Sequence, residues 1–240
     1  MTQGVSMYYF DERIRYSETD RSGLLSLRAL LDLFQDCATF HSEDVGLGVA
    51  ELKRRKTVWV LLTWQVDLTR MPACGEYVRV STYPYRVKGF MGLRNFLLET
   101  REGERLAIAN SVWNIVNPDT GRLARMDDDV PARYGAGEPL EMDYAERKIH
   151  LPDAAPRPLS PLYVQPHMLD TNGHVNNARY VALAADCLPS SYTYHRLRVE
   201  YCHAAHCGDM LSPLLYETPE RVVVVLSDGE GQPYAITEFS

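Results

Sequence analysis

Asp170, Asn172 and His174 place a carboxylate, a carboxamide and an imidazole within five residues, in a string that continues Val175-Asn176-Asn177 into an apolar stretch. Asp and Asn side chains accept backbone N–H bonds at helix starts, so the string predicts a helix N-terminus. Such a terminus carries a positive partial field and outward N–H donors, which suit a developing oxyanion. An imidazole there can take a proton from water, and a carboxamide can hold that water or a carbonyl oxygen. The plain alternative is an Asx turn and helix cap carrying an exposed histidine. The triplet alone does not choose between them.

Self-similarity identifies the frame that positions these groups. Asp20, Gly23, Asp36 and Cys37 recur as Asp170, Gly173, Asp186 and Cys187, each 150 positions later (170 − 20). Val66-Asp67 and Cys74-Gly75-Glu76 recur in kind as Val199-Glu200 and Cys207-Gly208-Asp209, each 133 positions later (199 − 66). Two ordered sets of matches indicate two copies of one domain, the second shorter between helix and strand. In the first copy, Leu27, Leu30, Leu31, Phe34 and Ala38 recur at helical spacing and predict a buried helix over 25–43. Strands are expected over 58–68, 77–83, 94–99 and 106–117. The second copy predicts a helix over 176–188 and strands over 196–204, 210–217, 221–226 and 234–239, the last two joined by a hairpin turn. One helix followed by antiparallel strands is an α+β pattern, a curved sheet wrapped around a central helix. The domain reading is 1–133 for the first copy, a Pro-, Gly- and charge-rich linker over 134–161, and 162–240 for the second.

Bulk properties narrow the setting. The composition is that of an ordinary soluble globular chain, and a net charge of −7 argues against nucleic acid as a partner. No apolar run approaches the roughly 20 residues that span a bilayer. The opening Met-Thr-Gln-Gly-Val-Ser lacks the basic and apolar segments of a secretory signal. Five widely spread cysteines, an odd count, suggest reduced thiols and a cytoplasmic setting.

The motif and its frame resemble the acyl-acyl-carrier-protein (acyl-ACP) thioesterases of plants and bacteria, which carry two tandem hotdog domains. The resemblance rests on Asp170-x-Asn172-x-His174-Val175-Asn176-Asn177, on Ser111-x-Trp113 followed by Asn117-x-x-Thr120 and Leu123, and on Arg94 two residues before Phe96. It runs from about residue 8 to the end of the chain. It implies hydrolysis of the thioester joining a fatty acyl chain to the phosphopantetheine of acyl carrier protein, releasing free fatty acid and ending or diverting fatty acid synthesis. It further implies Asp170, Asn172 and His174 as catalytic residues, no metal or organic cofactor, no membrane, and a monomer or homodimer. N–H groups near His174 and Val175 would serve the oxyanion. Asp170 would orient its neighbours or act as base or nucleophile, so direct water attack and a covalent anhydride both remain open. The first copy has Ser22 and Leu24 at the Asn172 and His174 positions, and leucine moves no proton. One active site per chain is expected, with the first half serving binding and packing.

One position departs from the resemblance. Relatives carry a Glu in the strand after the motif helix, and Ala204 stands there in this chain. Asp170 would then carry the acid role, with Glu200 the alternative if the strand register differs. Cys202-His203-Ala-Ala-His206-Cys207 invites a metal reading, but a regular strand sends the two histidines to opposite faces, and sheet and loop roles are preferred. Lys53-Arg54-Arg55-Lys56 and Arg86-x-Lys88 read as solvated surface or as docking sites for an acidic carrier protein. Trp59, Trp64 and Phe34 read as core ahead of an acyl-tunnel lining. The rival functions are another hotdog enzyme, such as an acyl-CoA thioesterase or hydroxyacyl dehydratase, and a non-catalytic acyl-binding module.

Overall fold

Ser26 opens the first long helix, its side chain accepting the Ala29 N–H at 3.2 Å, as expected of a serine N-cap. The computed structural model describes residues 7–240; the segment 1–6, read above as carrying no secretory signal, lies outside the described residues. The chain divides into two units, one built from residues up to Leu62 with Leu68–Tyr144, the other from Thr63–Asp67 with Ala145–Ser240.

The first unit contains β1 (Tyr8–Arg13), α1 (Leu27–Asp44), α2 (Val49–Arg54), the start of β2 (Val58–Leu68), β3 (Tyr77–Lys88), β4 (Met91–Thr100), β5 (Arg105–Val116) and α3 (Asp129–Tyr134). β1, β3, β4 and β5 lie side by side and antiparallel. α1 packs on β3 and β1 and buries Leu27, Leu30, Leu31, Phe34, Cys37 and Ala38. Phe34 meets Phe96 of β4 with ring centroids 5.1 Å apart. Each such fully buried large apolar side chain contributes roughly 1.5–3 kcal/mol. The helix begins at Leu27 because Leu25 is taken by a β-bridge to Thr19. β3 runs past the expected end at Tyr83: Pro84 sits where the β3–β4 register shifts, which tolerates its missing N–H, and the strand continues to a turn at Gly89, φ +69°.

Arg94 of β4 is only 7% exposed and donates to Nδ1 of His41 at 3.0 Å and to Thr82 Oγ1 at 3.3 Å, with the Tyr134 ring 5.5 Å away. Burial, helped by the adjacent guanidinium, pushes the His41 pKa down to about 4. The imidazole is therefore neutral at physiological pH and free to accept from the arginine.

The second unit contains the Thr63–Asp67 stretch of β2, β6 (Arg157–Pro158), β7 (Leu162–Tyr163), α4 (Asn177–Ala185), β8 (Arg196–Tyr201), β9 (Met210–Glu217), β10 (Val222–Ser227) and β11 (Pro233–Phe239). Its strand order is β2, β8, β11, β10, β9, β6, with β7 also pairing β9. α4 packs on β10 and β11 through Ala178, Tyr180, Val181 and Ala184. From the stretch read as a linker, Ile149 is buried against Val223 and Val225, and β6 joins the sheet. Arg198 donates to the Lys148 carbonyl at 3.0 Å and Arg221 to the His150 carbonyl at 3.0 Å, and both arginines pair with the buried Glu238. Among the described residues no helix is long and apolar enough to cross a membrane.

β8 ends at Tyr201, three residues before the expected 204, and this revises the Glu200 reading. Glu200 lies opposite Ile236 and accepts the Ile149 N–H at 3.1 Å, so it belongs to the face covered by residues 146–150. Tyr201 points the other way, its hydroxyl donating to the Asn177 carbonyl at 3.0 Å. Strand alternation therefore turns Glu200 away from the motif helix.

Candidate active site

Asp170 folds the loop that carries Asn172 and His174. Its Oδ1 accepts the N–H groups of Asn172 at 2.8 Å and His174 at 3.1 Å, and its Oδ2 lies 3.4 Å from the Asn172 carboxamide nitrogen. The Asp170 N–H donates to the His174 carbonyl at 2.7 Å. Gly173 closes the turn at φ +76°, a conformation that costs other residues strain. Asn172 projects into solvent and His174 is half-buried.

The first copy builds the same loop. Asp20 Oδ1 accepts the N–H groups of Ser22 at 2.8 Å and Leu24 at 3.4 Å, its own N–H donates to the Leu24 carbonyl at 2.8 Å, and Gly23 has φ +78°. Burial raises the Asp20 pKa, but hydrogen bonds from Ser22 and Leu24 outweigh it and hold the carboxyl below its usual range. The two aspartates thus build the turn in both copies, whether or not a histidine follows.

Two expectations are corrected by this geometry. The helix cap is Asn176, whose side chain accepts the Ala178 N–H at 2.9 Å, so the triplet lies in the loop before α4 and not on its first turn. The N–H groups of His174 and Val175 are both occupied, the first by Asp170 and the second by the Ala205 carbonyl at 3.0 Å, and so are not oxyanion donors as they stand.

A second loop, between β8 and β9, faces the first. Ala205 is fully buried, and its N–H donates to the Tyr180 hydroxyl at 2.8 Å while its carbonyl holds Val175. Burial pushes the Tyr180 phenol up to about 12, leaving it a neutral pin between α4 and this loop. The His206 N–H donates to Asp209 Oδ2 at 2.8 Å, and Gly208, φ +90°, anchors the turn through its N–H to Val164 at 3.0 Å. The His206 ring consequently stands edge-to-face against His174, centroids 4.9 Å apart and planes at 89°. His206 Nδ1 lies 3.7 Å from Asp209 Oδ2, which the Tyr234 hydroxyl approaches at 3.4 Å.

This loop too has a counterpart: the Leu25 N–H donates to the Pro72 carbonyl at 2.8 Å, the Ala73 N–H to Glu76 Oε2 at 2.9 Å, and the Gly75 N–H, at φ +84°, to Ile14 at 2.8 Å. Leu24 and Ala73 form a β-bridge there, at the places held by His174 and His206. On matching loops, one copy holds two apolar neighbours and the other two imidazoles. Sequence reasoning left His206 among sheet and loop residues, although the 133-residue offset that matches Cys74 with Cys207 also matches Ala73 with His206.

The remaining candidates disperse. Ala204 is exposed in the loop beside the pinned Ala205, outside any strand. The His203 ring lies tilted against Tyr234, centroids 4.2 Å apart, while His206 meets His174, and among the described residues no group of three or more His, Cys, Asp or Glu side chains is placed to hold a metal ion. Cys74 and Cys207 are both exposed. Of the basic cluster, Arg55 is only 12% exposed at its side chain and pairs with Glu51, Asp127 and Asp129, while Arg54 pairs with Glu51. Arg55 thus ties α2 to the segment at Asp127 and Asp129, while Arg54 stays on the surface beside Glu51.

Comparison with known proteins agrees with this architecture. The family model for the acyl-ACP thioesterase N-terminal domain matches residues 7–134, and that for the C-terminal domain matches residues 158–225. The chloroplastic oleoyl-acyl carrier protein thioesterase 2 of Arabidopsis thaliana is 26% identical over 240 residues, covering 91% of this chain and 65% of its own length. The chloroplastic acyl-[acyl-carrier-protein] hydrolase FATB3 of Cuphea viscosissima is 28% identical over 192 residues, covering 74% of this chain and 46% of its own. The chain thus spans about half to two-thirds of the length of these curated relatives. Among solved structures, an acyl-ACP thioesterase from Bacteroides thetaiotaomicron superposes with a TM-score of 0.88 at 25% identity, covering 97% of this chain and 96% of that one. The 12:0-ACP thioesterase from Umbellularia californica superposes at 0.85 with 23% identity, covering 98% and 96%. The fold is α+β with two tandem hotdogs, each an antiparallel sheet around a helix, and the chain belongs to the acyl-ACP thioesterase family.

Proposed function

We propose that this protein hydrolyses fatty acyl-ACP thioesters to free fatty acid, with one active site on the loop that precedes α4. The observation that carries this reading is the contrast between the copies: loops with the same hydrogen bonds carry Ser22 and Leu24 in one and Asn172 and His174 in the other. His174 takes a proton from water as the water oxygen bonds to the thioester carbonyl carbon. The exposed Asn172 carboxamide donates to the carbonyl oxygen or holds that water. The C–S bond then breaks, and protonated His174 gives its proton to the departing phosphopantetheine thiolate as the fatty acid leaves. Asp170 holds both groups in place through the turn and stands as the third member of the site. Family membership favours direct attack by water no more than a covalent route, but the three contacts on Asp170 favour a structural carboxylate over a nucleophile.

Within this reading, 1–133 is the binding and packing half, 134–161 the connection and 162–240 the catalytic half. The partner is acyl carrier protein bearing a phosphopantetheine-linked acyl chain. All five cysteines are free thiols, which suits the reducing cytoplasm. The test is hydrolysis by the purified chain of a C8 to C18 acyl-ACP panel beside acyl-CoA and 3-hydroxyacyl thioesters, with products identified. Release of fatty acid fastest from acyl-ACP is expected. Preference for acyl-CoA, or dehydration of the hydroxyacyl substrate, would overturn the proposal.

A further inference from the structure

We propose that His206 is a positioning residue for His174, its ring forming the wall that fixes the His174 imidazole, with Asp209 holding the His206 backbone in turn. The inference rests on the reading of His174 as the proton acceptor and deepens it. Three observations carry it. First, the rings stand edge-to-face at 4.9 Å and 89°, inside the range where aromatic rings attract. Second, the His206 backbone N–H donates to the Asp209 carboxylate at 2.8 Å, so this carboxylate fixes the loop from which the His206 ring projects. Third, the first copy holds the same loop with Ala73 and Leu24 at these places and Glu76 at the Asp209 place. The carboxylate that ties the loop is present in both copies, whereas the second imidazole accompanies the first. Packing alone does not require it, because alanine and leucine satisfy the same scaffold.

His206, exposed in the loop between β8 and β9, stands beside the half-buried His174. A side chain held this way limits the rotamers open to His174, and misplacement of a reacting group by about 1 Å can cost on the order of 10²-fold in rate.

The experiment combines kinetics on acyl-ACP with side-chain ¹⁵N–¹H NMR of the unliganded protein. His206→Ala is expected to lower kcat about 10- to 10²-fold with KM within about twofold, and to broaden the His174 ring signals by exchange among rotamers, beyond the shift that loss of the neighbouring ring current alone produces. His206→Phe, which keeps an edge-to-face ring, is expected to restore most of kcat and the His174 signals. Asp209→Asn is expected to change the same signals as His206→Ala, more weakly. Normal kcat, or His174 signals that stay sharp, in His206→Ala would overturn the proposal, as would equal defects in the Ala and Phe variants. If the unaltered protein releases no fatty acid from any acyl-ACP, the functional reading fails. The NMR comparison still decides whether His206 orients His174.

Discussion

In the proposed mechanism proton transfer falls to His174 alone, and substitution separates its chemistry from its scaffolding. His174→Ala is expected to reduce thioester hydrolysis by roughly 10²- to 10⁴-fold, the usual scale for a general base. Because the ring is half-buried at a loop edge, stability should change by only about 0.5 kcal/mol, checked by denaturant melts. The aspartates offer a complementary test. Asp20→Ala and Asp170→Ala each remove an acceptor for two backbone N–H groups and should cost similar stability, about 1–2 kcal/mol each. Asp170→Asn retains a carbonyl oxygen for those bonds, so it should fold normally and keep most of its activity. An Asp170→Asn protein that is stable but inactive would instead assign the carboxylate a chemical step.

At the scale of elements, the early end of β8 decides which acids can reach the site. Glu200→Gln is expected to leave hydrolysis unchanged and act only on stability, because Glu200 faces Ile149 and not α4. Ala204→Glu extends an exposed side chain from the 202–209 loop, so it should fold normally and leave activity similar or higher. Loss of hydrolysis in Glu200→Gln with the fold intact would contradict this placement of β8. The buried Ala205 is the fixed point, held from both sides by Tyr180 and Val175, and the positions flanking it take their orientation from those two bonds.

For the molecule as a whole, the buried Arg94–His41 pair sets a pH dependence distant in sequence from the motif. The His41 pKa falls from an ordinary 6.5 to about 4 in the fold, first through burial and then through Arg94. A depressed folded value means that the unfolded chain binds the proton more readily. The contribution is therefore fully present above pH 6.5 and is lost as pH falls from there toward 4. His41→Gln retains an acceptor for Arg94 without titrating, so its stability relative to the unaltered protein should rise across that window. Parallel curves for the two proteins in denaturant titrations between pH 7 and 4 would remove His41 from the acid limb. The arginines that tie residues 146–150 to Glu238 act at this scale too, since they draw an irregular stretch onto the second unit.

The sequence by itself determined the repeat, the two long central helices and most strand spans, and it singled out Asp170, Asn172 and His174, because hydrophobic periodicity and turn chemistry act over a few residues. Its limits follow from the same physics. Whether Asp170 capped a helix or closed a turn depended on Asn176 accepting the Ala178 N–H first, a choice among neighbouring acceptors that composition leaves open. Whether the Val175 N–H was free depended on Ala205, thirty residues away, and the face of Glu200 depended on where β8 stopped. The meeting of His174 with His206 was decided only in three dimensions, where the loop between β8 and β9 folds back against the loop before α4 and brings two residues 32 positions apart into ring contact. Local propensities write the loops; only tertiary hydrogen bonding selects which side chains they bring face to face.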